Sequence, residues 1–167
     1  MNTLATGLLQ TVILSSKATS VVSNIGTDLI IGTITTTTSS IGNMIKYLAI
    51  STQPGVSDLL DLISSLDFEF TMSIIEQLVR EQEGKQINES VKKALIGVSE
   101  ILDLIHSELS SVKKAIEYHN TKYFNGWRSF SWEGNIETIK KHNFILSHRY
   151  KMLFDLLKIY NNPQYTN

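Results

Sequence analysis

The sequence predicts an all-α protein, an up-and-down helical bundle of four to five helices with a long central helix at about residues 88–118. Three observations carry that reading. Val91, Leu95, Val98, Leu102, Ile105, Leu109, Val112 and Ile116 recur at spacings of 4, 3, 4, 3, 4, 3 and 4, an unbroken apolar seam along one helix face. Ile136, Ile139, Leu146, Tyr150, Leu153, Leu157 and Tyr160 repeat the period near the C-terminus. Between the two regions and the N-terminus stands Pro54-Gly55, where the composition changes abruptly.

The 167 residues suffice for one domain that buries roughly 70% of its unfolded surface, so the core needs no metal or cross-link. With no cysteine, disulfide scaffolds, thiolate metal sites and cysteine nucleophiles are excluded, and an intracellular address is favoured. A net charge of -1 argues against a nucleic-acid surface, which requires a local excess of Lys and Arg. Charge is nonetheless uneven, because residues 54–109 are predominantly acidic and residues 110–167 predominantly basic. Acidic and basic helices packed side by side account for this, with a basic partner-binding face in the last third as the alternative.

The chain divides at Pro54 into an uncharged Ser/Thr/Ile-rich segment, 1–53, and an amphipathic bundle, 54–167, expected to fold together. Before Pro54 the only charged residues are Lys17, Asp28 and Lys46. Leu8, Leu9, Val12, Ile13, Val21, Val22 and Ile25 suit one helix, and Leu29, Ile30, Ile34, Ile41, Ile45 and Leu48 suit a second, giving a small-residue hairpin. Against this, the run Thr33 to Ser40 (TITTTTSS) is β-branched, and its local preference is for a strand or irregular segment. Residues 29–45 carry no charge, yet about half are Thr, Ser or Asn, so the run is too short and too polar to span a bilayer. Met1 to Gln10 has no basic n-region, so no signal peptide is expected.

After Pro54, Ser57 is placed to cap a helix whose stripe runs through Leu59, Leu62, Ile63, Leu66, Phe70, Ile74 and Leu78, with Phe68, Met72, Ile75 and Val79 beside it. A kink at Ser64-Ser65 with Asp67 as a second cap is the other reading. Gly84 ends the run and Asn88 opens the central helix. There Ala94, Ile101, Leu104 and Ala115 widen the seam beyond what a lone two-stranded pair would cover, so several neighbours are required. Residues 119–134 (HNTKYFNGWRSFSWEG) form a loop with five aromatics, read as a lid over one end of the bundle or as a recognition loop. The last helix runs from about 135 to 161, and Asn143 occupies a seam position where an apolar residue is due; such an Asn fixes register or finds a partner amide.

No metal or catalytic constellation is legible. His106, His119, His142 and His148 form no pair at helical ligand spacing, and no phosphate-binding glycine loop or nucleophile elbow occurs. The chain therefore reads as a non-enzyme with no cofactor and no evident small-molecule substrate. The candidate interaction surface comprises Trp127, Arg128, Phe130 and Trp132 with Lys113, Lys114, Lys140 and Lys141.

The segment LDFEFTMSIIEQLVREQE at 66–83, the long heptad helix, a loop ending W-x-x-F at Trp127 to Phe130, and the closing SHRYKMLFDLLKIY together resemble helical proteins of mimivirus-like giant DNA viruses. That resemblance implies an interaction or self-association protein of a large DNA virus, in host cytoplasm or virion, and carries over no functional residue. The layout is also similar, more distantly, to HeLo-type cell-death executioner bundles. That likeness implies a membrane-associating or permeabilising bundle that uses residues 1–53 and sets Lys113, Lys114, Lys122, Arg128, Lys140 and Lys141 on anionic lipid.

Overall fold

An apolar seam of heptad spacing must be covered by neighbours, and among the described residues five helices build the core together. In a computed structural model, which describes the backbone of residues 3–53, 55–121 and 131–161 and side chains from residue 26 onward in those spans, they are α1 (Thr3–Ala49), α2 (Val56–Ser65), α3 (Phe68–Arg80), α4 (Glu89–Asn120) and α5 (Glu133–Tyr160). They form an all-α, up-and-down bundle. All eight seam residues of α4 are buried, together with Ile101. Leu104 is not; it stands 51% exposed, so the apolar face is narrower on that side than the sequence suggests.

The N-terminal third is one continuous helix rather than a hairpin of two. Its buried positions, Thr27, Ile31, Ile34, Thr38, Ile41, Ile45 and Leu48, repeat the period of α4, with Met44 beside them. The Thr-rich run is helical despite its local preference, because burial of Ile34 and Ile41 outweighs a propensity cost of well under 1 kcal/mol per residue. The hydroxyls also find partners in the helical form. Thr33 donates to the Leu29 carbonyl at 2.9 Å and Thr36 to that of Gly32 at 2.8 Å.

Side-chain contacts fix the helix directions. Thr37 donates to Asp103 at 3.1 Å and Ser40 lies 2.9 Å from His106 Nε2, each pair 66 residues apart, so α1 and α4 run parallel and in register. The Gly84 amide donates to Asp28 while Thr38 meets Glu76, which sets α3 antiparallel to α1. Arg149 reaches Gly97 and Asn135 reaches Glu108, which sets α5 antiparallel to α4.

The segment after Pro54 is two helices, and the break shifts its inner face. Asp67 adopts a left-handed conformation (φ 49°) between α2 and α3. Consequently Phe68, Met72, Ile75 and Val79 are the buried set of α3, whereas Phe70 is 61% exposed and Ile74 and Leu78 are half-buried. Ser57 does not cap α2; the N-cap is Gly55, whose φ of 77° suits a residue without Cβ. Gly84 likewise turns with φ 70°, and Asn88 caps α4 by accepting from the Val91 amide at 2.8 Å.

Candidate interaction surface

Five of the residues singled out from sequence, Trp132 and four lysines, are described, and these five are spread over different parts of the bundle. Trp127, Arg128 and Phe130, like Lys122, lie outside the described residues. Trp132 is buried at the start of α5, packed with the core cluster, and so presents no exposed ring. Lys113 turns toward α1, its ammonium 5.1 Å from the Tyr47 ring centroid and 3.7 Å from Glu117. Lys140 bonds Glu137 at 3.0 Å on a different side, where α5 meets Gly55 and Asp58 in an open groove. Lys114 and Lys141 are exposed on α4 and α5.

His106 is half-buried, with its Nε2 against the Ser40 hydroxyl of α1. The contact resembles half of a nucleophile relay. Its setting is a row of side-chain hydrogen bonds between α1 and α4 that the Thr37 to Asp103 bond continues. Asn143 is buried as its seam position requires, but its Oδ1 has no protein hydrogen-bond partner among the described residues, and the same holds for Nδ1 of the adjacent His142.

The surface that stands out was not singled out from sequence. Helix α5 makes its main-chain packing almost entirely with α4 and buries Ile139, Leu146, Leu153 and Leu157 there. Its opposite side exposes Phe144 (76%), Met152 (52%) and Ile159 (55%). Where this side meets α4, an open groove of about 520 Å³ is lined by Lys93, Ile96, Gly97, Arg149, Met152 and Leu156. Arg149 frames it, with Nη1 donating to the Gly97 carbonyl and to Glu100 at 3.2 Å. A second shallow groove continues along His148, Lys151, Met152, Asp155 and Ile159. Lys151 donates to Asp155 at 2.9 Å, and that hydrogen bond holds the Asp155 carboxyl below the usual carboxylate range. Sequence signals for this face existed: Phe144, Met152 and Ile159 fall off the seam read for the last helix, and apolar residues off the seam are the mark of a second face.

These observations define the molecule as an all-α bundle with an open apolar strip on its last helix. Among the described residues no group of His, Asp and Glu is placed to hold a metal ion, and no helix is long and apolar enough to cross a membrane. The chain is similar to an uncharacterised protein of Acanthamoeba polyphaga mimivirus, 32% identical over 66 residues, covering 40% of this chain and 32% of that protein. The match thus spans about a third of the relative's length. No family model and no solved structure matches the chain, so the likeness to cell-death executioner bundles gains no support.

Proposed function

We propose that this protein acts by binding another protein surface, without catalysis, and that the outer side of α5 with its groove against α4 is the binding surface. The observation that carries the reading is the exposure of Phe144, Met152 and Ile159 along a single helix side. Large apolar side chains clustered beside a groove, rimmed by Lys93, Arg149 and Lys151, have the make-up of interface centres, where apolar anchors sit inside a polar rim. The mimiviral relative supports placing the protein among those of giant DNA viruses.

The test is a comparison of the full chain with a Met152→Glu, Ile159→Glu variant, both sites being exposed and hence tolerant of charge. Circular dichroism should show the same fold. Quantitative affinity capture and sedimentation velocity should show association by the parent chain that the variant lacks; equal behaviour of the two would remove this face from consideration.

A further inference from the structure

The outer side of α5 has a property beyond being apolar: it is self-complementary. Phe144, His148, Met152, Asp155 and Ile159 follow at steps of 4, 4, 3 and 4 residues, which return to nearly the same side of an α-helix. Suppose a second α5 is laid antiparallel about a two-fold axis passing between Lys151 and Met152. Phe144 then lies level with Ile159 of the second copy and His148 level with Asp155, while Met152, beside the axis, meets Met152 of the second copy. The first two contacts each occur twice. Apolar residues meet at both ends, the imidazole meets a carboxylate, and the two thioethers meet near the centre. A closed two-fold interface requires such self-matching, since each residue away from the axis must suit the copy of a different residue on the same patch.

We infer that the occupant of this face is a second copy of the chain, joined through an antiparallel α5 pair in that register. The inference rests on the interaction reading above and specifies its partner. Asp155 is suited to its part because Lys151 keeps it ionised. Lys151 and Asp155 together leave the centre of the strip without excess charge of either sign, so two copies meet there without repulsion. Residues 144 to 159 span roughly 22 Å of helix, and a strip about 10 Å wide over that length covers on the order of 200 Å², well below the roughly 800 Å² per partner of a standard stable interface. The dimer is therefore concentration-dependent, and Ile96 and Leu156 at the groove edge add to its contact.

Register is what the decisive experiment reads. Sedimentation velocity of the full chain over a wide concentration range should show monomer and dimer in exchange. Phe144→Asp should weaken the dimer by about tenfold or more, because it places a charge in the contact. Asp155→Lys alone and His148→Asp alone should each weaken it, and the double variant, which reverses the pair, should restore it. The chain has no cysteine, so Phe144→Cys and Ile159→Cys chains can be mixed under mild oxidation. The expected product is the cross-linked 144-to-159 heterodimer, with little 144-to-144 product.

A dimer that ignores Phe144→Asp, or cross-links chiefly 144 to 144, overturns the inferred pairing. A chain that remains monomeric at millimolar concentration overturns the second copy as occupant. The broader interaction reading falls separately, only when Met152→Glu, Ile159→Glu also leaves capture of other proteins unchanged.

Discussion

Helices α1 and α4 bury seams of the same period, lie parallel in register, and are made of different material. In α4 the buried seam is aliphatic from Val91 to Ile116, ends on His119, and the outer side is charged. In α1 two seam positions are the threonines Thr27 and Thr38, and the outer side of residues 32–40 carries hydroxyls instead of charges. Those hydroxyls bond to the carbonyl one turn back, or cross to Asp103 and His106. The contrast separates two causes of helicity. Helix α4 has favourable pattern, cap and composition, whereas the described part of α1 is helical through what it packs against.

The largest test of that contrast is truncation of matching core positions. Leu102→Ala and Ile34→Ala each remove a fully buried aliphatic side chain, and each should cost about 2–5 kcal/mol in denaturant unfolding. Equal costs would show that the seam of α1 belongs to the same cooperative core. A cost below about 1 kcal/mol for Ile34→Ala, beside a full cost for Leu102→Ala, would break the comparison, since a surface-like value denies burial.

The seam of α5 extends the comparison, because its polar position, Asn143, falls within the seam, whereas that of α4 is aliphatic up to His119 at its end. Burying Asn143 Oδ1 without a partner costs about 1–3 kcal/mol, and an apolar residue of similar shape removes that penalty. Asn143→Leu should therefore raise the unfolding free energy by about 1 kcal/mol, less whatever strain its shape imposes. Loss of stability instead would mean that the amide holds the register of α5 against α4. Next in size is Asn88→Ala. It deletes the hydrogen bond to the Val91 amide at the start of α4 and should cost about 1 kcal/mol, with the midpoint of urea unfolding falling accordingly.

What the sequence made legible was whatever depends on spacing. The seam of α4, its Asn88 cap and the all-α bundle follow from periodicity and local chemistry, and the structure has them, whereas α3 ends at Arg80 and Gly84 closes the turn after it. Periodicity failed where a short irregularity reset the phase: the left-handed Asp67 moved burial from Phe70, Ile74 and Leu78 onto Phe68, Met72, Ile75 and Val79. Composition left two readings open at Trp132, a ring packed on the bundle or an exposed recognition ring, and its burial fits the first. The outer strip of α5 was overlooked for a related reason. A seam search keeps the residues that fit one stripe and discards Phe144, Met152 and Ile159, which only mutual proximity on the other side makes conspicuous.

The smallest predicted effect addresses the Thr-rich run directly. Thr36 is exposed, and its hydroxyl bonds only to the Gly32 carbonyl one turn back among the contacts described for it. Alanine forms helix better than threonine by up to about 0.7 kcal/mol, and a back-bonded exposed hydroxyl offsets little of that because water can replace it. Thr36→Ala should thus stabilise the fold by a few tenths of a kcal/mol. Thr38→Ala should act in the opposite direction, since Thr38 is buried and its single hydroxyl proton has the Thr35 carbonyl at 3.0 Å and Glu76 at 3.5 Å, so its removal takes a donor from the acceptor it serves. Opposite signs at two threonines two residues apart would show that the run is helical by virtue of its neighbours, with each hydroxyl tolerated or required according to the side it occupies.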